Sequence, residues 1–543
     1  MATPPTPPSV TPGTVFAAVA ATLWALVPIT LGVGVGDLLS VDALLVLWVA
    51  AAWPAGRRVA WGLFGVMLSW ELVRAVGASL MDQDPLLYDL FHLLRHFAIL
   101  GADLLGMWLL PAVLGALLVA GMGVLAGVWL LDRGRGVPPK GVAIVLALAV
   151  LTWALGGPAR FSAAAFVSNV AESVRVRSDV AQMVAMPSYD VYEGLELPDG
   201  PDLHIYVVES YGRILMRRKG SRERWLADTP RRATALRDAG FHLVSAYATA
   251  PVSGGRSWLA DATMLTGRHV AHESVFNEVM AKADDLVHLP GVLDRAGYET
   301  VLVRPKDRAR AGVELRNDYH FSTPVFYEDL AYQGPAIGWG WIPDQYTLGW
   351  LRQHTLQRPE APQFVFAHLV SSHAPWLDVP EQVASWESLG TAKAAPAAGQ
   401  EDHGMLEELL VQLGRYQRRS GHRGQRRATA DHMERYGGSV AYDLDVLVEH
   451  LVELPERPGV YLLLGDHQPP LVAKSEDFDV PIHVVSRDPA LLAPFEAVGF
   501  QEGWELAPDA PPVMKLEGLQ SLLLHTVAPT HDLPVWVNGP TDR

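Results

Sequence analysis

Three short apolar stretches of this sequence end in residues that bind metals or transfer protons. They are LHIYVVE at Leu203–Glu209, FVFAHLVSSH at Phe364–His373 and VYLLLGDH at Val460–His467. Near-continuous apolar runs of this length, separated by helical patterns, predict strands of a mostly parallel sheet that is flanked by helices on both faces. Ligands of such sheets bind beyond the carboxyl ends of the strands. We therefore expect an α/β domain with its functional site at that edge.

The polar residues at two of these strand ends form a candidate metal site. Glu209, Asp466 and His467 offer two carboxylates and one imidazole, and Ser257 adds a hydroxyl oxygen. Hard oxygens with one imidazole suit Mn²⁺, Mg²⁺ or Zn²⁺, and the spacing does not choose between these ions. His373, taken alone, fits a buried turn histidine as well as a catalytic one.

Ser257 lies in SAYATAPVSGGRSWLADATMLTG, Ser245–Gly267, between a glycine–arginine turn and an apolar helical run. Taken alone, it is most simply a helix N-cap. On a divalent metal its hydroxyl would become an activated nucleophile. The positive N-terminal end of the following helix, the backbone N–H groups of Gly254-Gly255 and the charge of Arg256 would then favour a phosphoryl or sulfuryl group.

Composition excludes several classes of protein. The net charge of −16 over 543 residues argues against nucleic-acid binding, which needs clustered basic residues. The one dense basic run, Arg418–Arg427, lies in a polar region and is predicted to be a solvated loop. The absence of cysteine excludes disulfides, thiolate metal sites and a cysteine nucleophile. It is compatible with both oxidising and reducing compartments.

Apolar residues concentrate before residue 160 and predict an N-terminal all-α transmembrane bundle of five helices. The predicted spans are Thr14–Gly36, Leu38–Ala55, Val59–Leu80, Leu104–Leu131 and Gly141–Gly157. Basic residues follow spans two and four, whereas acidic residues follow spans one and three, so the N-terminus is expected inside. An odd number of spans then places everything after about Gly157 outside. We expect a multi-pass protein of a bacterial cell (inner) membrane with an extracytoplasmic catalytic domain.

The expected domain organisation follows from these patterns. Residues 1–160 form the transmembrane domain, 161–200 a linker, and 201–543 the catalytic domain. The segment 385–430 is rich in Ala, Gly, Gln and Arg and is predicted to be a flexible insertion before a helix at Tyr436–Leu454.

Four motifs, VVESYG, GGRS, SSHAPW and LGDHQPP, follow the predicted spans in this order. Together they resemble the alkaline phosphatase/sulfatase superfamily, and most of all its membrane branch of lipoteichoic acid synthases and related phosphoglycerol transferases. The resemblance implies an alkaline-phosphatase-like fold and one divalent metal, with Mn²⁺ expected first and Mg²⁺ or Zn²⁺ as alternatives. It implies that Glu209, Asp466 and His467 hold the metal with Ser257, that Ser257 is the nucleophile, and that His373 contacts the substrate or its leaving group.

The sequence departs from that branch at several positions. The usual nucleophile there is a threonine after Gly-Lys, whereas this chain has a serine after Gly-Arg. The stretch GVELRNDYHF corresponds to the substrate-binding region and makes Arg316 a candidate beside Arg256, without a matching tryptophan. GWGWIPDQY, with Asp344, is a weaker candidate for the pocket wall.

The resemblance implies a transferase that moves a phosphorylated headgroup, phosphoglycerol first, from a phospholipid to an envelope glycan or lipid acceptor through a phosphoseryl intermediate. A phosphoethanolamine transferase and a phospholipid headgroup hydrolase are close alternatives. A sulfatase fits less well, because Asp261 stands where the C/S-x-P/A-x-R motif needs arginine. From another class, a membrane scaffold with an inactive domain is disfavoured, because all the expected ligand types are present.

Overall fold

The computed structural model describes most of the C-terminal part of the chain and a smaller share of the N-terminal part. The described residues are 39–56, 59, 62, 65, 70, 86–88, 139–155, 159–183, 189–282, 286–309, 315–335 except 316, 337, 342–356, 361–391 except 375, 377 and 378, 424–470, 477–531, 533 and 535–538. They fall into two compact units. The first holds the described residues through Arg177, together with Gly424, and the second holds the others, from Ser178 onward.

The first unit is helical where it is described. Its helices are α1 (Val41–Ala52), α2 (Pro139–Ala154) and the part of α3 (Ser162–Met183) up to Arg177. A two-residue parallel pairing joins Leu39–Ser40 to Ala159–Arg160. Val41 and Ala149 form a small buried core between α1 and α2. The first turn of α3 is capped from a distance, since the Asp42 carboxylate accepts the N–H groups of Ser162 and Ala163 at 2.6 and 2.9 Å.

Helix α1 lies within the second predicted span, and α2 overlaps most of the fifth. None of the helices in the described part of the chain combines the length and the apolar character needed to cross a membrane. The first and fourth predicted spans lie outside the described residues, as does most of the third. The five-span bundle therefore stays a prediction. So do the predicted domain limits, although α3 occupies part of the expected linker.

The second unit is built on one mixed sheet. Among the described residues this sheet has nine strands: β1 (Asp202–Val208), β2 (His242–Thr249), β3 (Glu299–Arg304), β4 (Thr323–Phe326), β5 (Gln363–Leu369), β6 (Gly459–Gly465), β7 (Asp479–Ser486), β8 (Gln501–Glu502) and β9 (Met514–Lys515). The order is β8-β2-β7-β6-β1-β5-β3-β4, with β9 beside β2.

The predicted parallel arrangement is found in the part of the sheet that carries the motifs. Strands β6, β1, β5, β3 and β4 are mutually parallel, whereas β7 runs antiparallel to both β6 and β2. Every residue of β1, β5 and β6 is buried, which explains why these strands are apolar throughout instead of alternating.

Helices cover the sheet and supply the rest of the core. They are α4 (Ile214–Arg217), α5 (Lys219–Asp238), α6 (Ser257–Thr266), α7 (Glu273–Met280), α8 (Leu289–Arg295), α9 (Asp344–His354), α10 (Glu387–Thr391), α11 (Gly424–Val452), α12 (Ala493–Ala497) and α13 (Leu519–Val527). Single 3₁₀ turns lie at Pro54–Gly56, Tyr189–Tyr192, Glu328–Leu330, Pro489–Leu492 and Leu516–Gly518. The helix expected at Tyr436–Leu454 is α11, which begins earlier than predicted. Most of the predicted insertion at 385–430 lies outside the described residues.

Candidate metal and nucleophile site

The register of the three central strands brings the motifs together. In the sheet, Val208 at the end of β1 pairs with Leu369 of β5 on one side and with Gly465 of β6 on the other. Parallel strands that end at the same level place their following residues at one edge. Glu209 and Asp466 follow these positions directly, and the Ser-Ser-His segment follows β5.

Four of the predicted residues converge at this edge. One ligand atom each from Glu209, Asp466 and His467 lies within 4.8 Å of the others, and all three side chains are buried. The Ser257 hydroxyl donates to Glu209 Oε2 at 3.0 Å, and its oxygen is 3.4 Å from His467 Nε2. Residues far apart in sequence thus form one compact cluster of three oxygen donors and one nitrogen donor.

Asp466 is oriented for a ligand that carries positive charge. Its Oδ1 accepts the backbone N–H groups of Ser210 and His467, at 2.8 and 2.9 Å. Its Oδ2 is buried and receives no hydrogen bond from the described part of the chain, although His467 Nε2 lies 3.3 Å away. A buried carboxylate oxygen without a donor is costly, and coordination of a cation would remove that cost.

His467 is held in the tautomer that a metal ligand needs. Its Nδ1 lies 2.9 Å from the Gln468 carbonyl and therefore carries a proton, an arrangement common for metal-bound histidines. Nε2 faces two carboxylates, 3.2 Å from Glu209 Oε1 and 3.3 Å from Asp466 Oδ2. Burial alone would lower the pKa of His467, but Asp466 and Glu209 outweigh it and raise the pKa to about 9. A divalent cation would take the place of the proton that the raised pKa keeps on Nε2, so these residues fit a metal.

Lys306 is a site residue that the sequence pattern did not single out. Two residues after β3, its ammonium group lies 3.1 Å from Glu209 Oε2, the same oxygen that accepts from Ser257. Burial by itself would raise the pKa of Glu209, yet Lys306 and His467 hold this pKa well below its usual range. The sequence feature that could have identified Lys306 is its position just beyond the end of a parallel strand.

Behind the nucleophile, a second charged cluster was also missed. Asp261, one turn after Ser257 on α6, lies 3.0 Å from His368 Nε2 and 3.1 Å from Arg304 Nη2. Strand β5 carries His368 and strand β3 ends at Arg304, so the cluster connects α6 to the sheet. The same aspartate that breaks the sulfatase motif thus has a structural role in this fold.

Ser257 is the first residue of α6 and not its N-cap, so the simplest interpretation of this serine was wrong. Arg256 occupies the cap position in the left-handed region, with φ of +69°. This conformation is costly for a residue with a side chain and clusters at functional sites. Ser210, directly after Glu209, is left-handed too, with φ of +60°. Both strained residues adjoin side chains of the cluster.

The glycines before Ser257 connect two motifs. Gly254, with φ of +77°, donates its N–H to the Gln468 carbonyl at 2.8 Å. This hydrogen bond ties the nucleophile loop to the segment that carries Asp466 and His467. The Gly254 N–H is therefore engaged within the protein, so the positive N-terminal end of α6 is the better anion-binding element.

His373 lies beside the cluster as a neutral imidazole. Its Nδ1 is 2.6 Å from the Ala374 carbonyl, so Nδ1 carries the proton and Nε2 the lone pair. Burial lowers the pKa of His373, and the nearby Glu209 carboxylate opposes this shift only in part. In this state, the ring is suited to accept a proton at Nε2.

The three predicted substrate-binding residues have different outcomes. Arg256 is half-buried next to Ser257, and its contact with substrate stays a prediction. Arg316 lies outside the described residues. Asp344 is completely buried, and its carboxylate accepts the backbone N–H groups of Val370 and Ser371. The structure therefore gives Asp344 a role inside the protein and not at a pocket wall.

Comparison with known proteins gives matches among solved structures. The chain is similar to an alkaline phosphatase superfamily protein from Vibrio parahaemolyticus (14% identity, TM-score 0.34, 53% of this chain and 60% of that one). It is also similar to the lipoteichoic acid synthase LtaP from Listeria monocytogenes (15%, 0.33, 56% and 70%). A third similar structure is the integral membrane lipooligosaccharide phosphoethanolamine transferase A from Neisseria meningitidis (12%, 0.43, 89% and 87%).

One of these similar structures is described as a member of the alkaline phosphatase superfamily, the superfamily that the sequence motifs resemble. No protein-family model matches the chain, and no curated protein does. The chain spans 60% of the length of the Vibrio protein. With identities of 12–15% and TM-scores below 0.5, these similarities do not identify a substrate or a reaction for this chain.

Proposed function

We propose that this protein is a metal-dependent transferase that moves a phosphorylated headgroup from a phospholipid to an envelope glycan or lipid acceptor. The observation that carries the proposal is the contact of the Ser257 hydroxyl with Glu209, within the buried cluster that includes Asp466 and His467. Phosphoglycerol is the proposed headgroup and Mn²⁺ the proposed metal. The predicted spans support a place in a bacterial cell membrane with the site outside, close to a lipid donor.

The residues of the cluster have complementary roles in this reaction. Glu209, Asp466, His467 and Ser257 would hold the divalent cation, which when bound lowers the pKa of the Ser257 hydroxyl and stabilises charge on phosphoryl oxygens. Ser257 Oγ then attacks the phosphorus in line, its proton passes to His373 Nε2, and His373 gives that proton to the diacylglycerol oxygen as the bond from that oxygen to phosphorus breaks. The product of this half-reaction is a headgroup phosphate ester of Ser257.

The second half-reaction transfers the headgroup onward. An acceptor hydroxyl attacks the phosphoserine, gives its proton to His373 Nε2 and displaces Ser257 Oγ. The imidazolium form of His373 then returns this proton to the departing Ser257 Oγ. Over one turnover, the proton that Ser257 lost ends on diacylglycerol, the acceptor proton replaces it on Ser257, and the enzyme is unchanged. The Lys306 ammonium and the N-terminus of α6 stabilise negative charge that develops on the phosphoryl group.

The first experiment is the intact mass of the detergent-purified protein after incubation with mixed bacterial phospholipids and Mn²⁺, with Ser257→Ala beside the wild type. An added glycerophosphate on the wild type alone supports the proposal. An added phosphoethanolamine would keep the mechanism and change the donor. Release of headgroup phosphate without an adduct would indicate a hydrolase, and neither adduct nor release would contradict the proposed reaction.

A further inference from the structure

A pair of buried aspartates lies behind the segment that carries His373. Asp344 begins α9 and Asp443 lies in α11, and both are completely buried. Both oxygens of Asp344 accept backbone N–H groups, Oδ1 from Val370 at 2.9 Å and Oδ2 from Ser371 at 2.6 Å. Asp443 Oδ2 accepts the N–H of Ser372 at 3.1 Å.

Because Asp344 and Asp443 accept from consecutive N–H groups, the two buried carboxyl groups lie side by side. One proton between them would prevent the repulsion of two buried charges. Asp344 directs each of its oxygens at an N–H donor, so it is suited to be the charged acceptor. Asp443 Oδ1 has no other partner among the described residues, and this oxygen is the place for the proton. Burial and the neighbouring Asp344 charge raise the pKa of Asp443 well above its usual range.

The pair holds three consecutive N–H groups just beyond β5, and the same segment reaches the active cluster. Ser372 Oγ donates to the Glu209 carbonyl at 2.7 Å, and His373 is the next residue in the chain. The Ser372 carbonyl accepts from Trp376 Nε1 at 2.6 Å, and Trp376 has a left-handed backbone with φ of +52°. The position of this segment therefore determines where the Glu209 carbonyl and the Cα of His373 lie.

We propose that Asp344 and Asp443 act as positioning residues that share one proton, with the proton on Asp443, and that this proton fixes the Val370–His373 segment for catalysis. The catalytic part of this inference rests on the proposed function. Each carboxyl group accepts from the segment, and two charged carboxylates in contact would repel each other. Loss of the shared proton would therefore separate the pair and shift His373 relative to Ser257.

Few other titratable groups face the pair. The Tyr442 hydroxyl is next to both aspartates and accepts the N–H of Gln345 at 3.3 Å. Tyr332 lies beside Tyr442, and burial raises the pKa of both tyrosines. Neither phenol titrates near neutral pH, so among these groups it is the shared proton that responds to pH.

The test uses the asymmetry between the two positions in the full-length protein. In Asp443→Asn, the new amide donates permanently to Asp344 while its oxygen still accepts from Ser372, so the variant mimics the protonated pair. In Asp344→Asn, the amide must point at an N–H group of Val370 or Ser371, and a hydrogen bond becomes a repulsive contact. Glu434→Gln, on an exposed position of α11, is the matched control.

Headgroup transfer or hydrolysis is measured for all four proteins from pH 5 to pH 9. Asp443→Asn and Glu434→Gln are expected to keep activity within about threefold of wild type, whereas Asp344→Asn loses more than about tenfold in kcat. The decline of kcat at alkaline pH that comes from the pair is absent in Asp443→Asn. Equal losses in both asparagine variants, or an unchanged alkaline limb, would overturn the assignment of the proton.

Thermal unfolding over the same pH range separates this inference from the proposed function. The raised pKa makes folded Asp443 retain a proton that the unfolded chain loses above about pH 4. The free energy of unfolding of the wild type therefore decreases as pH rises above this value. The melting temperature of wild type should therefore fall relative to that of Asp443→Asn until the folded pKa is reached. A pH-independent difference would refute the shared proton, even if no lipid substrate is turned over or Asp344→Asn does not fold.

Discussion

Replacement of Lys306 by methionine would show how charge is balanced in the cluster. The Lys306 ammonium lies 3.1 Å from Glu209 Oε2, with 22% of the lysine side chain and 2% of the glutamate side chain exposed. At an effective dielectric constant of about 20, two unit charges at this distance attract by about 5 kcal/mol. The cost of taking both charges out of water offsets part of that attraction.

Methionine would fill a similar volume and leave the Glu209 carboxylate without its cation. Removal of one partner of a buried ion pair typically costs about 3–5 kcal/mol, and we expect the lower end, about 3 kcal/mol, because the ammonium group is partly solvated. A divalent cation held by Glu209, Asp466 and His467 would restore positive charge. With saturating Zn²⁺ or Mn²⁺, the expected loss is therefore below about 1 kcal/mol.

The assay is urea unfolding of the detergent-solubilised protein, followed by tryptophan fluorescence in EDTA and in excess metal. Lys515→Met is the matched control, since Lys515 Nζ is 3.9 Å from Glu517 and 45% of its side chain is exposed. This control should change stability by less than about 1 kcal/mol, with or without metal. An equal loss for Lys306→Met in both conditions would refute the idea that lysine and metal neutralise the same carboxylate.

Three further predictions concern the nucleophile and the metal ligands. Ser257→Ala should lower turnover by at least about 10³-fold while it leaves metal content and melting temperature nearly unchanged, because the hydroxyl is only one of four proposed ligands. Full activity in this variant would remove Ser257 from the mechanism. Asp466→Ala should lower the metal-to-protein ratio measured by mass spectrometry, since it removes both the acceptor of two backbone N–H groups and a carboxylate ligand, and an unchanged ratio would count against the ligand set. Metal affinity should rise with pH, because a cation must displace the Nε2 proton of His467, whose pKa is raised to about 9 in the metal-free protein. Calorimetry should find a dissociation constant that falls about tenfold per pH unit from pH 6 to 8 and levels off above pH 9. A dissociation constant that does not change with pH would contradict the raised pKa.

Much of the site could be predicted from the sequence, because most of its residues belong to local sequence patterns. Strands β1, β5 and β6 are buried at every residue, so each appears as a continuous apolar run with polar residues at its end. Glu209, Asp466 and His467 were predicted from these ends and Ser257 from the turn before α6. The mostly parallel order of the motif-bearing strands followed from the same pattern.

The contacts that the sequence patterns did not predict join helices and strands that are distant in the chain. Lys306 on Glu209, Asp261 on His368, and the Asp344–Asp443 pair each depend on which strands and helices are neighbours. Their energies vary with distance and solvent exposure, and neither quantity is encoded in the spacing of residues along one segment. Asp344 shows the difference, because its sequence context suggested a pocket wall and its neighbours made it a buried acceptor.

The sequence by itself thus determined the chemical types of the cluster and the edge of the sheet at which they meet, since both follow from strand ends. Only the tertiary structure decided the register that brings Val208, Leu369 and Gly465 to one level. It also decided the charges that surround the cluster and the protonation state of His467. The physical reason is that pairing and burial are long-range properties, whereas a strand and the residues that end it are local ones.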